Sequence, residues 1–205
     1  MAVKAGTYRG RTAEQRVAER RERLIAATLE VWGREGGPRV TMTRVCAEAG
    51  LSERYFYESF DNLDAALVAV MDGIAAEIAE RSVTALESAT GGPSERVRAG
   101  IGAFVGILTD DARKGRVAIV ESSSIDALRP RRAELLRQFA ELSAHEAREL
   151  YGAEAWREGE GRIAATMFIG GIAELVTAWI EGTVAASPED IIDVATHHFT
   201  ATAHR

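Results

Sequence analysis

Scarcity bounds this 205-residue chain first: it has one cysteine, four prolines, and only two lysines among its 25 basic residues. The lone Cys46 has no internal disulfide partner, which agrees with a reducing compartment and excludes a disulfide scaffold. Few prolines in an alanine-rich chain leave few helix breakers, so helix is expected throughout. No charged-apolar-small leader opens the sequence, and no uninterrupted apolar run is long enough to span a bilayer. The expectation is a cytoplasmic protein with no membrane partner. No nucleophile–base motif, glycine-rich phosphate loop or paired cysteines are found, so neither enzyme chemistry nor a cofactor is expected.

What is present reads as an ordinary globular chain. Hydrophobic residues make up 46% and charged residues 27%. The net charge of −6 conceals an asymmetry. Residues 1–60 carry 11 Lys+Arg against 8 Asp+Glu, and the remainder carries 14 against 23. A basic front on an acidic remainder suits a module that meets a polyanion, joined to one that avoids it.

The apolar spacing predicts an all-α chain of about nine helices. Residues 1–11 lack periodicity and read as a flexible basic arm. A first helix over 12–35 repeats Val17, Leu24, Ile25, Thr28, Leu29 and Trp32, and Gly36-Gly37-Pro38 stops it. Two short helices, 42–49 and 53–59, follow. A long fourth helix over 63–88 is capped from Asp61-Asn62, and a fifth covers 95–109. A charged loop over 110–116 leads to the run Val117–Val120, expected in a sixth helix although its periodicity also fits a buried strand. The seventh covers 131–151, the eighth 161–185, and the ninth starts behind Ser187-Pro188. The expected division is residues 1–62 and 63–205, with the fourth helix shared in place of a linker.

Residues 41–60, TMTRVCAEAGLSERYFYESF, carry most of the information. Thr41 and Ser52 stand where hydroxyls cap helices, and Gly50 supplies a residue tolerant of positive φ between them. Val45, Ala49, Leu51, Phe56 and Phe60 can pack the pair on a third helix. That is a helix-turn-helix, whose second helix enters the DNA major groove. Thr41, Thr43 and Arg44 on the first helix, and Ser52, Arg54, Tyr55, Tyr57 and Ser59 on the second, are the candidate contacts to phosphates or base edges.

In the order Thr41, Val45, Ala49-Gly50-Leu51-Ser52, Phe56-Tyr57 and Phe60, followed by Leu67, the chain resembles the TetR family of bacterial transcriptional regulators. The resemblance is closest over about residues 12–70. It implies a homodimer through the eighth and ninth helices, two helix-turn-helix units on a palindromic double-stranded operator, and a small-molecule effector that releases DNA, usually from a repressor. It also implies phosphate contacts for Thr41 and Tyr57, the start of the recognition helix at Ser52, and base-facing positions for Arg54 and Tyr55. Arg54 is the best candidate for guanine, because its planar fork matches both major-groove acceptors. Leu63 stands where the family often has a phosphate-contacting lysine, and Tyr55 where a small residue is common. The operator therefore cannot be borrowed from relatives. An activator, an effector-independent DNA-binding protein, or a helical enzyme or carrier remain the alternatives.

The candidate effector contacts are Phe104, Met167, Phe168 and Trp179 as apolar lining, with Glu121 and His145 for polar selectivity. Ordinary core packing is the competing reading for each. Gly170-Gly171 and Ala173, with the apolar surplus around them, suit close approach of a second copy. Lys4, Arg9 and Arg11 suit either a minor-groove arm or a solvated tail. Glu141, His145 and Glu149 share one helix face, which is read as solvated rather than as a metal site. Cys46 is read as a small packing residue rather than a redox sensor.

Overall fold

The computed structural model describes residues 12–157 and 159–203. Among them the chain forms nine helices and no β-strand. It divides into two compact units, Met1–Asp72 and Gly73–Arg205. The arm residues Lys4, Arg9 and Arg11 lie outside the described residues.

The N-terminal unit is built on α1 (Ala13–Glu35), α2 (Met42–Ala49), α3 (Glu53–Ser59) and the first turns of α4 (Leu63–Ser88). Thr12 opens α1 with a reciprocal capping box: its hydroxyl accepts from the Gln15 backbone, and the Gln15 side chain accepts from the Thr12 backbone. Gly36, at φ 83°, closes the helix. Leu24, Ala27, Val31 and Trp32 form its buried stripe, facing Val45, Cys46 and Ala49 of α2 and Phe56 of α3. Val17 falls outside that stripe. It is 43% exposed because its turn precedes the part of α1 that the other helices cover. Cys46 is buried, and burial together with the charge of Glu53 pushes its thiol up, which keeps it protonated and unreactive.

The C-terminal unit contains the rest of α4, then α5 (Pro93–Asp110), α6 (112–124), α7 (Arg129–Tyr151), α8 (Glu160–Ile180) and α9 (Pro188–Ala203). Its core joins Val97, Ile101, Val105 and Leu108 of α5 to Phe168 and Val176 of α8 and Ile191, Ala195 and Phe199 of α9. Phe199 stands edge-on to Phe168 at 5.0 Å and to Trp156 at 5.7 Å. Arg98 bridges α5 to Glu189 and Asp193 on α9. At the start of α9, Ser187 and Asp190 cap reciprocally, and the two Ser187 donors hold the Asp190 carboxyl below the usual carboxylate range.

Several expected boundaries move. The segment expected as a loop over 110–116 is already helical from Ala112, because Asp111 accepts a hydrogen bond from the Arg113 backbone and starts the turn. Arg113 also lowers the Asp111 carboxyl from its ordinary range, chiefly through its side-chain hydrogen bond. The run around Val117–Val120 is neither a strand nor plain α-helix: Arg116–Glu121 is a π-helical turn inside α6. Its neighbour Gly115 lets α6 approach closely, since a Cβ there would lie 3.1 Å from Ile180 Cδ1. Helix α8 ends at Ile180, five residues before the expected end. Gly182 takes φ 76°, and the Thr183 and Val184 N–H groups turn back to the Ala178 carbonyl.

Candidate nucleic-acid interface

The turn between α2 and α3 is fixed by backbone chemistry. Gly50 adopts φ 60° and ψ 38°, the left-handed conformation that lacks strain only without a Cβ. The Leu51 N–H donates to the Cys46 carbonyl at 3.0 Å, and Gly50 N–H to Ala47 at 3.2 Å. From α1, Arg23 Nη2 donates to the Ala49 carbonyl at 2.6 Å, so a charged donor satisfies an orphan carbonyl at the end of α2. One side of α3 is then committed inward. Phe56 is fully buried, with ring centroids 5.8 Å from Tyr57 and 5.6 Å from Phe60.

The other side of α3 faces solvent. Ser52, Arg54, Tyr55, Tyr57 and Glu58 are all exposed. Tyr57 is 60% exposed. Ser52 occupies the cap position without making a side-chain cap bond, contrary to the expected capping role, so its hydroxyl is not spent on the helix. Ser59 is spent: its hydroxyl donates to the Tyr55 carbonyl at 3.1 Å. Tyr55 is partly withdrawn, because the Arg20 guanidinium lies 4.5 Å over its ring. On α2, Thr41 and Thr43 are exposed, and Thr41 accepts the Arg44 N–H at 3.4 Å. Arg44 is exposed but paired with Glu35.

A hollow of about 330 Å³ lies beside this face. It is lined by Val40, Thr41 and Met42 at the start of α2, by Phe56 and Tyr57, and by Asp61, Asn62 and Leu63 at the start of α4. Thr41 caps α2, and Asn62 Oδ1 accepts from Ala65 N at 2.9 Å to cap α4. Two helix N-termini, each with uncommitted N–H groups and a partial positive charge, therefore open beside the Tyr57 ring. That arrangement is suited to an oxyanion such as a phosphate. Leu63 supplies no cation there, and Asp61 adds a negative charge to the rim.

The effector candidates do not gather at one place. Phe168 is buried in the core against Phe199, and Phe104 and Trp179 are half-buried around the same cluster. Trp179 is held by a 2.8 Å bond from Nε1 to the Ala186 carbonyl. Glu121 lies in the π-turn and pairs with Arg116 at 3.1 Å. His145 is exposed, and Met167 is 71% exposed. The latter two sit on open helix faces rather than among the others. Glu141, on the same face as His145, pairs with Arg137.

Arg20, Arg23 and Glu58 escaped the sequence reading. The i, i+4 spacing of Arg54 and Glu58 was available as a signal. The reach of Arg20 and Arg23 from α1 to α3 and the turn had no sequence signal.

Together the units define a helix-turn-helix module and a helical domain in one chain. That is the fold of the TetR-like transcriptional regulators. The fatty acid degradation regulator FadR from Bacillus halodurans superposes with a TM-score of 0.75 at 19% identity, covering 91% of this chain and 97% of that one. FadR from Bacillus subtilis, solved in complex with stearoyl-CoA, gives 0.72 at 20% identity, covering 89% and 97%. A TetR family transcription regulator from Marinobacter aquaeolei gives 0.65 at 16% identity, covering 94% and 100%. No protein-family model matches the sequence, and no curated protein sequence matches it.

Proposed function

We propose that this chain is a TetR-family transcriptional regulator that binds an operator as a homodimer and is released from it by a small molecule. The observation that carries the reading is the exposed face of α3. Ser52, Arg54 and Tyr57 project from a helix whose opposite side is locked inward by Phe56, with two helix N-termini opening beside Tyr57. Tyr57 and the N-termini of α2 and α4 serve phosphates, and Arg54 reads a base. The missing cation at Leu63 leaves the phosphate seat to backbone N–H groups and the Tyr57 hydroxyl.

The reading is tested by measuring binding of the full chain to DNA flanking its own gene, against scrambled duplex, at two salt concentrations. Site-selective affinity that falls steeply with salt supports it. Equal, weak binding to both duplexes, repeated with a randomised pool, would sink it. Tyr57→Phe is expected to weaken binding to all sequences by a similar factor, about three- to tenfold for one lost phosphate hydrogen bond. Arg54→Ala is expected to relax preference at one base position, at a cost of about 1–3 kcal/mol there. A uniform loss across operator variants would remove Arg54 from base reading.

Homodimerisation is supported by α8. It is long and apolar enough, with a mean hydropathy of 1.7, to pass as a membrane span, yet only 22% of that stretch is buried within the chain. Ile163 is 65% exposed and Met167 71%, and Gly170 and Gly171 are exposed one turn further on. Val194 on α9 is 60% exposed. An apolar stripe of this kind is what an isologous interface covers, and the two glycines leave room for close approach. For the effector, the stearoyl-CoA complex of the Bacillus subtilis neighbour favours a bulky, amphiphilic molecule with a long apolar chain.

A further inference from the structure

Glu58 sits on the exposed side of α3 and binds two arginines at once. Its Oε1 accepts from Arg54 Nε at 3.0 Å. Its Oε2 lies 3.5 Å from Arg20 Nη2. The two partners differ in freedom. Arg20 belongs to α1, its side chain is only 20% exposed, and its guanidinium covers the Tyr55 ring. Arg54 is 84% exposed. The chain of contacts therefore runs from a fixed group to a mobile one, with Glu58 between them. Ion pairs this open to water contribute little to stability. They do restrict rotamers, and a long arginine side chain has many to restrict.

Engaging Nε has a chemical consequence. The guanidinium offers two forks, one made by Nε with a terminal nitrogen and one made by the two terminal nitrogens. With Nε bound to Glu58, the outward fork is the terminal pair, which suits the O6 and N7 acceptors of guanine. A carboxylate on this face also repels phosphates wherever the fit is poor.

We infer that Glu58, anchored by Arg20, is a positioning residue that sets the base specificity of Arg54 and discourages binding to unmatched DNA. The inference rests on the DNA-binding reading of α3. Its parts are the Arg54–Glu58–Arg20 relay, the commitment of Nε, and the negative charge placed among groups that face the groove.

The test uses the full-length protein and a randomised double-stranded DNA pool. Wild type is expected to enrich a site with guanine at one position in each half. Glu58→Gln, nearly isosteric on an exposed surface, is expected to lose roughly tenfold of the preference at that guanine. Its affinity for mixed-sequence duplex should rise about threefold at low salt, because one negative charge is gone. Arg20→Lys keeps the charge but loses the planar fork, and should relax preference at the same position by a smaller factor. A Glu58→Gln protein with wild-type base preferences, or one weakened equally on all sequences, overturns the inference while the DNA-binding reading stands. Unchanged preference in Arg20→Lys overturns the anchoring. A wild-type protein that enriches no site overturns both readings together.

Discussion

Phe56→Ala is expected to destabilise the N-terminal unit by about 3–5 kcal/mol and, with it, to remove the proposed sequence-selective DNA binding. Phe56 is among the largest fully buried side chains, and it is the apolar anchor of a seven-residue helix. A helix this short cannot form alone in water, since nucleation outweighs the few hydrogen bonds it closes. Its existence and its orientation both depend on what it packs against. Two aromatic contacts, to Tyr57 and Phe60, are lost with the ring, and a cavity replaces it. A small domain has about 5–15 kcal/mol in total, so the loss is a large fraction of what holds the unit together. Thermal melting and operator affinity measured on one preparation check this. A variant with an unchanged melting transition would show that α3 is held by something other than its buried face. Phe56→Leu keeps most of the apolar volume and should retain both folding and binding, which separates the loss of packing from any direct role of the ring.

How far the chain declared itself depended on local chemistry. The ranges of α2, α3 and α4 agree with the sequence reading residue for residue. In that stretch the Thr41 cap of α2, the Asn62 cap of α4, a left-handed glycine between α2 and α3, and buried apolar residues agree with one another. The exposed positions on α3 followed from the burial of Phe56 and Phe60, because a seven-residue helix with one side fixed has little choice for the other. The spent and unspent hydroxyls did not follow. Ser52 was expected to cap and does not, whereas Ser59 turns back onto the Tyr55 carbonyl. Both choices are local competitions between nearby backbone groups of similar energy, and sequence alone does not rank them.

The C-terminal unit was legible as helices and hardly at all as a site. Periodicity locates an apolar face but does not say whether core, ligand or a second copy covers it. Met167 and Phe168 are adjacent and similar in hydropathy, yet one is 71% exposed and the other is buried beside Phe199. His145 met the same fate, on a face of α7 that looks outward. The π-turn at Arg116–Glu121 had no signature because it reflects how α6 fits its neighbours, through Gly115 against Ile180, rather than any preference of its own residues.

On the proposed homodimer through α8, Met167→Glu is expected to convert the protein to a monomer and to lower affinity for a two-half-site operator by roughly a hundredfold or more, while affinity for an isolated half-site stays constant. In the single chain Met167 is largely exposed, so the change should leave its folding stability within about 0.5 kcal/mol. In a two-fold interface through α8 the same change introduces two carboxylates, one from each copy, into the middle of a stripe that holds Ile163 and two glycines before the exposed Glu174 is reached. Burying an unpaired charge there is costly enough to outweigh the contacts the stripe makes. Losing the dimer uncouples the two half-sites, and the avidity gained from presenting two helix-turn-helix units at a spacing of about 34 Å is lost with it. Sedimentation at micromolar protein, paired with titrations of full and half operators, reads each term separately. A variant that stays dimeric would move the interface away from this face. A dimeric variant that also no longer responded to effector would return Met167 to the ligand site, the other role its sequence position allowed.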